Sequence, residues 1–263
     1  MDIDWDRVKK QTLWSYEDLL AKLLNTLAYT FVQEHYNHTM QQAQVYAGKI
    51  REGYLQNRGE TTAYVDSIAV SFAELEKRCP GTYTDLVQQV ATRQACVAFL
   101  RQTGFEFDDL IQLLNYMLRW VLPFKTPLRE FIDVDQDLEV SYLKALRLQK
   151  IASSLDLLEA GRTEAGRAHL AAAVKIPAAD LIALVHKADI SRLAYVRGKT
   201  VRHLCGGGYD TLERLANADL AEMEKKMDAY YRTLGKSLAD FKAVMPLAWM
   251  VGGAKILPLV VIV

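Results

Sequence analysis

The sequence is poor in the residues that mark β-rich folds and in those that cross-link small extracellular domains. Only 14 glycines and 6 prolines occur among 263 residues, which disfavours a sandwich or barrel with many tight turns. The three cysteines Cys79, Cys96 and Cys205 are widely spaced. Such a sparse, odd set forms neither a disulfide framework nor a zinc knuckle. A reducing compartment fits this cysteine usage, and we expect a cytoplasmic protein.

Long apolar runs are also scarce. The opening residues 1–6 are acidic and contain no apolar stretch, so we expect no signal peptide. Residues 244–263 are mostly apolar and long enough to span a bilayer. Lys255 would lie well inside that span, at a high cost in free energy. We therefore predict a tail that packs on this protein or on a partner, without membrane contact. Its β-branched end, residues 260–263, favours an extended segment.

An excess of charge of one sign is absent as well. The net charge is zero, with a slight acidic excess in residues 1–153 and a slight basic excess in the remainder. Neither part has the strongly basic character of a dedicated nucleic-acid-binding protein. The apolar share of 51% and the charged share of 24% are typical of a globular protein.

Apolar residues recur at helical spacing throughout the first 153 residues. Ser15 and the acids after it indicate a helix start, and we predict one long helix from there to about Gln56, bent near His35–His38. Further helices are predicted over 61–78, 84–102 and 107–120, and from Asp135 or Asp137 to about 159. Alternation with period two is absent. The prediction is an all-α fold with an N-terminal bundle of long helices in residues 1–153.

The pattern changes after Ala160-Gly161, where the predicted helices become short and turns become frequent. We predict helices near residues 164–174, 178–187, 191–195, 199–206, 211–216 and 221–233. The organisation expected from these patterns is a helical bundle (1–153), a domain of small helices (154–243) and an extended apolar tail (244–263).

One stretch of this second part resembles a known motif. Residues 193–201 read Leu-Ala-Tyr-Val-Arg-Gly-Lys-Thr-Val, and Leu204 follows. This resembles the helix-hairpin-helix motif, which reads roughly Leu-Pro-Gly-Val-Gly-Pro-Lys-Thr-Ala with a leucine three residues on. Residues 206–219 look like the next turn of the same repeat, and residues 157–189 look like the first half of a tandem. The whole of residues 154–235 is similar to a tandem helix-hairpin-helix family of unknown function, whereas residues 1–150 resemble no family.

The resemblance implies a binding function but departs from the DNA-binding pattern at its centre. In DNA-binding members the hairpin glycines let backbone N–H groups approach a phosphate, and the next helix adds its partial positive charge. Here Tyr195 and Arg197 occupy the two glycine positions, and only Gly198 remains. Two side chains therefore stand where the backbone would meet phosphate.

We predict a binding face for nucleic acid or a partner around this hairpin, with Asp189 as its one acid. It comprises Lys187, Arg192, Tyr195, Arg197, Gly198, Lys199 and Arg202. A solvated helical face is the alternative interpretation. The leading prediction is a non-catalytic binding or scaffold protein that contacts another protein or a second copy of itself. The basic face could add weak, sequence-independent nucleic-acid contact, and neither a cofactor nor a metal is predicted.

The alternative function is an enzyme or small-molecule binder with a pocket in the N-terminal bundle. His35 and His38, three residues apart, could ligate a metal together with Glu34. Their spacing differs from the Glu-x-x-His pairs of di-iron bundles, however, and no second motif matches. The aromatic stretch around Pro123, which includes Tyr116, Met117, Trp120, Phe124 and Phe131, packs in the core or lines a groove for a partner or ligand.

Overall fold

The structure, a computed structural model, describes residues 3–54, 59–132, 137–239, 241 and 246–262. Across these ranges it contains sixteen α-helices and no β-strand, which confirms the predicted all-α class. The chain divides into two compact units, residues 1–122 and 123–263. The boundary predicted near residue 153 therefore lies inside the second unit.

The first unit contains eight α-helices in its described part, and the last of them continues into a π-helical turn (Met117–Val121). They are α1 (Asp6–Thr12), α2 (Tyr16–Leu27), α3 (Thr30–Tyr36), α4 (Met40–Tyr54), α5 (Gly59–Arg78), α6 (Tyr83–Gln89), α7 (Arg93–Thr103) and α8 (Phe107–Tyr116). Its core is rich in leucine and large aromatic side chains, including fully buried Phe31 and Phe72. Ser15 caps α2 as predicted, because its hydroxyl accepts a hydrogen bond from the Asp18 backbone N–H (3.1 Å).

The single long helix predicted from Ser15 to about Gln56 is wrong. Three helices, α2 to α4, occupy the region, and the predicted end near Gln56 lies outside the described residues. The chain leaves the helix after Tyr36 because polar side chains there bind other backbone groups. Asn37 Oδ1 accepts from the Thr84 backbone N–H (2.9 Å), and Thr39 caps α4 by accepting from the Gln42 backbone N–H (3.2 Å).

The helix predicted over 84–102 is also divided, into α6 and α7. Thr92 caps α7 by accepting from the Ala95 backbone N–H (3.1 Å). At the break, the Tyr16 hydroxyl donates to the Val90 carbonyl (2.6 Å) and satisfies a group that a continuous helix would have used. Gly104 ends α7 with φ +63°, a left-handed conformation that glycine adopts without strain.

The second unit contains a further eight α-helices in its described part. They are α9 (Asp137–Leu148), α10 (Ser154–Gly161), α11 (Glu164–Val174), α12 (Ala178–Ile190), α13 (Gly198–Gly206), α14 (Leu212–Ala216), α15 (Leu220–Thr233) and α16 (Leu247–Ile256). The short helices predicted between 164 and 233 agree closely with α11 to α15, with one exception. Residues 191–195, predicted to be helical, form a turn.

The helix predicted to run to about residue 159 is two helices, α9 and α10, and its alternative start at Asp135 lies outside the described residues. Residues 124–132, called the arm below, pair with the break between these helices. The Ser154 backbone N–H donates to the Thr126 carbonyl (2.7 Å), and the Leu128 backbone N–H donates to the Ala152 carbonyl (3.0 Å). Ser153 caps α10 in a capping box with Asp156.

The apolar tail was predicted to be extended, but its first part forms helix α16. This helix packs on α14 and α15 of the same chain. The extended backbone starts at Leu257 (φ −67°, ψ 140°), because the residue before a proline is disfavoured in helical conformation. The Ile262 backbone N–H donates to the Arg162 carbonyl (2.9 Å) and anchors this end. None of the helices described is both long enough and apolar enough to cross a membrane.

Candidate interaction site on the second unit

The predicted binding face is built on the turn between α12 and α13. Leu193 and Val196 are each 1% exposed and hold this turn against the unit. Between them Tyr195 adopts φ +62°, in the left-handed region that a residue with a side chain enters at a cost of roughly 1–2 kcal/mol. Tyr195 stands at the first glycine position of the motif that the sequence resembles. The turn thus has, at this position, a backbone conformation that glycine adopts more readily.

Gly198, the first residue of α13, permits a close approach of the arm. A β-carbon at position 198 would lie 2.1 Å from Glu130 Cβ and 2.5 Å from the Glu130 carbonyl oxygen. Both distances are far inside van der Waals contact, so a side chain here would displace the main chain of the arm. In the motif that the sequence resembles, the phosphate-facing glycines stand at the positions of Tyr195 and Arg197, and Gly198 follows them directly. Here the space beside Gly198 is filled by the protein's own backbone.

Three of the five predicted cations also bind the arm. Lys187 Nζ donates to the Phe131 carbonyl (3.1 Å), and Arg202 Nη1 donates to the Ile132 carbonyl (2.7 Å). The Arg197 guanidinium lies over the ring of Phe124, 3.7 Å from its centroid, within the range of a cation–π interaction. These side chains therefore hold the arm on α12 and α13.

Arg192 is a buried structural residue. It is 3% exposed, and Asp189 is 5% exposed. Arg192 Nε donates to Asp189 Oδ1 (2.7 Å), and Arg192 Nη1 donates to the Pro258 carbonyl (3.1 Å). The side chain ties the end of α12 to the tail, and in this conformation it has no surface to offer a partner.

The last two predicted residues, Tyr195 and Lys199, lie on the same turn and are exposed. Tyr195 is 37% exposed, and Lys199 lies in the first turn of α13. The structure thus separates the seven predicted residues by environment. Lys187, Arg197, Gly198 and Arg202 face the arm, Arg192 is buried beside the tail, and Tyr195 and Lys199 remain at the surface.

The groups further along α13 are kept neutral by their surroundings. The pKa of His203 is lowered, first by burial and then by the nearby cations Lys236, Lys199 and Arg202. Its ring packs against Tyr231, with the centroids 5.0 Å apart. Burial raises the pKa of the Cys205 thiol to about 11. Cys205 is therefore a thiol at neutral pH, whereas a nucleophilic cysteine acts as a thiolate.

The first unit contains a buried polar group that the sequence patterns did not reveal. His38, Tyr46, Tyr83 and Tyr116, together with Phe72, form what we call the tyrosine cluster. Ring centroids link its members at distances between 4.8 and 6.0 Å. The only sequence signal was tyrosine at helix positions that face the core, where leucine is the usual residue.

The metal-binding alternative finds no support in the geometry around His35 and His38. Helix α3 ends at Tyr36, so the two histidines do not share one helical face as the prediction required. His35 Nε2 lies 3.8 Å from Glu34 Oε2 near the surface, whereas the His38 ring packs between Tyr46 and Tyr83. Over the described ranges, no group of three or more His, Cys, Asp or Glu side chains is placed to hold a metal ion.

The aromatic stretch around Pro123 does not form a single groove. Tyr116, Met117 and Phe131 are completely buried. Trp120 packs edge-on against Tyr54, with the centroids 5.9 Å apart. Phe124 belongs to the second unit, where the Arg197 guanidinium lies over its ring. The stretch therefore contributes to the two units separately.

The fold and the site define an all-α protein of two helical units, the second of which carries a basic turn closed by its own arm. Residues 138–244 match a family described as a domain of unknown function (DUF4332). The match covers the candidate turn and all the helices from α10 to α15, but not the arm. Neither the curated proteins nor the solved structures contain a match to the chain.

Proposed function

We propose that this chain is a non-catalytic binding protein of the scaffold type, whose α12–α13 turn is a degenerate helix-hairpin-helix element that binds polypeptide. The observation that supports the proposal most directly is the binding of the arm to the side chains of α12 and α13. Backbone carbonyls of the arm accept the hydrogen bonds of Lys187 and Arg202, and an aromatic ring receives Arg197. The basic turn is thus complementary to a peptide chain.

The same contacts argue against phosphate as the main ligand. A phosphate at the hairpin would approach the start of α13, where the Glu130 backbone already lies against Gly198. It would also compete for the donors of Lys187 and Arg202, which already have partners. Weak nucleic-acid contact through Lys199 and Tyr195 is the second candidate, since an exposed cation beside an aromatic ring is a common element of such surfaces.

Tyr195 and Lys199 are the proposed contact residues for a partner protein or a second copy of this chain. Tyrosine is enriched in protein interfaces. A residue held in a sparsely populated backbone conformation also supports a functional hypothesis, because such strain concentrates at ligand-binding positions. Tyr195 combines the two properties, with φ +62° and a side chain that is more than a third exposed.

Site-specific photocrosslinking in cells tests this proposal on the full chain. The photoreactive residue p-benzoylphenylalanine replaces Tyr195, and a matched control replaces Leu234, which is exposed on the same unit. We expect a discrete protein adduct from position 195 that disappears in Lys199→Glu and is absent from position 234. Identical adducts from both positions, or an adduct at 195 that Lys199→Glu leaves unchanged, would refute the proposed contact.

The nucleic-acid candidate is tested with labelled DNA and RNA over a salt series. We expect affinity no tighter than non-specific binding, with Kd about 10⁻⁴–10⁻⁶ M at physiological salt. Nanomolar binding that falls steeply with salt and is lost in Lys199→Ala would contradict the protein-binding proposal and make nucleic-acid binding the main function.

A further inference from the structure

Three buried polar atoms of the tyrosine cluster have no hydrogen-bond partner among the described residues. They are His38 Nδ1, Tyr83 Oη and Tyr116 Oη. Tyr83 and Tyr116 are 0% exposed, so bulk water does not reach their hydroxyls. Buried polar groups in folded proteins are nearly always hydrogen-bonded, and each exception calls for a specific explanation. Three exceptions within one connected set of rings point to a shared cause.

The rings bring these polar atoms into one neighbourhood. The His38 ring lies 5.6 Å from that of Tyr83, and the Phe72 ring lies 5.8 Å from Tyr83 and 6.0 Å from Tyr116. The pKa of Tyr116 is raised, first by burial and then by the neighbouring phenols of Tyr83 and Tyr46, among others. The ring contacts therefore place His38, Tyr83 and Tyr116 in one connected cluster.

The three groups that carry the unpartnered atoms are uncharged at neutral pH. Burial raises the pKa of Tyr83 and Tyr116, so both remain protonated phenols. Burial is also the largest cause of the lowered pKa of His38. The unpartnered atom of His38 is Nδ1, and each nitrogen of a neutral imidazole ring either donates or accepts one hydrogen bond. Two phenol hydroxyls and one imidazole nitrogen are thus available.

We propose that the tyrosine cluster is an internal binding site for a small neutral hydrogen-bonding molecule of about the size of water. Such a molecule would form hydrogen bonds with His38 Nδ1 and with a tyrosine hydroxyl, and buried water is held by about two to four polar partners of this kind. An ion is a poor fit, because the three groups are neutral and a charge would lose its hydration. The site lies in the first unit, so it stands or falls independently of the function proposed for the second.

Thermal unfolding of full-length Tyr83→Phe and Tyr116→Phe provides the first test. The control is Tyr16→Phe, which removes a hydroxyl that donates to the Val90 carbonyl. If the cluster hydroxyls bind a molecule, their removal breaks hydrogen bonds, and Tm falls as in the control, by about 2–4 °C. If they bind nothing, phenylalanine removes an unsatisfied polar group, and Tm stays the same or rises in both cluster variants. That second result overturns the proposal.

The molecule itself is identified by two further measurements. With tyrosine rings selectively protonated, we expect nuclear Overhauser contacts from Tyr83 or Tyr116 to a bound molecule, and their loss in the double variant. Contacts to water without added mass in native mass spectrometry identify water. Added mass that the double variant loses identifies a small organic molecule with the same hydrogen-bonding chemistry. The absence of both signals overturns the proposal.

Discussion

Because Gly198 has no side chain, the arm can lie directly against the start of α13. We expect Gly198→Ala to lower the free energy of unfolding by about 1–3 kcal/mol, as overpacking of a tight site does, because the new methyl group would overlap the Glu130 backbone. Urea-induced unfolding measures the change.

The control at this scale is Gly48→Ala. Gly48 lies within α4, and a β-carbon there would meet nothing within 4 Å. Alanine favours a helix interior over glycine by about 0.5–1 kcal/mol, so this variant should be the more stable one. Equal effects of the two substitutions would show that the arm does not approach Gly198 as closely as the structure has it.

Tyr195 allows the opposite test, in which glycine relieves strain. Since Tyr195 has φ +62°, we expect Tyr195→Gly to be more stable than Tyr195→Ala by about 1 kcal/mol. The comparison with alanine removes the aromatic ring from both variants and isolates the backbone effect. A Tyr195→Ala variant as stable as Tyr195→Gly would contradict the left-handed conformation of the turn.

At the scale of helices, the sequence predicted those whose boundaries carry local signals. Thr163 and Thr211 cap α11 and α14 through their hydroxyls, and residue types of this kind announce a helix start in any sequence. The prediction for residues 164–233 was close for this reason. The prediction of an extended tail was wrong for its first half, because only the last few residues have the β-branched pattern on which it was based.

The undivided helices predicted in the first half were wrong because the periodic spacing of apolar residues does not show where a helix is interrupted. Consecutive helices such as α3 and α4 bury their apolar residues in one core, so the spacing continues across the break. The breaks depend on side chains such as Asn37, whose partner Thr84 is 47 residues away. A contact over that distance leaves no mark in the local pattern.

The candidate site shows the same limit. The basic cluster and the unusual hairpin positions were visible in the sequence, because charge and glycine content are local properties. The partners of Lys187 and Arg202 were not visible, because they are backbone carbonyls, which every residue possesses. Burial of Arg192 was equally hidden, since its partners combine the neighbouring Asp189 with the remote Pro258 carbonyl.

The joint between α12 and the tail gives a prediction at this scale. We expect Arg192→Ala to lower the free energy of unfolding by about 3–5 kcal/mol, because it leaves the Asp189 carboxylate buried without its cation. Chemical denaturation followed by circular dichroism provides the value.

An exposed ion pair of the same unit serves as the comparison. Arg214 lies 2.7 Å from Asp210, and both side chains are more than half exposed, so Arg214→Ala should change stability by less than about 1 kcal/mol. If both arginine variants lost the same small amount, Arg192 would not be the internal joint that the structure describes.

At the scale of the whole molecule, three histidines in two units make stability sensitive to acid. Burial is the first cause of the lowered pKa of His38, His186 and His203. Below about pH 6.5, the unfolded chain binds protons that these folded sites resist. Because the unfolded state then holds more protons, the free energy of unfolding falls as the pH is lowered.

Thermal scans between pH 7.5 and 5.0 measure this loss. We expect Tm to decrease steadily as the pH falls below the ordinary range of histidine, and His203→Phe, which keeps an aromatic ring next to Tyr231, to show a shallower decrease. If Tm depended on pH as steeply in His203→Phe as in the unaltered protein, His203 would not contribute to the loss of stability in acid.

The seat of the arm also has a consequence for synthesis on the ribosome. The Ile132 carbonyl and Arg202 are 70 residues apart, and translation proceeds at roughly 5–20 residues per second. The arm therefore leaves the ribosome on the order of ten seconds before the helices that receive it. During this interval Phe131 and Leu128, which are buried in the folded chain, lack the helices α12 and α13, so we expect a nascent chain stalled between the two segments to expose apolar surface that a chaperone can bind.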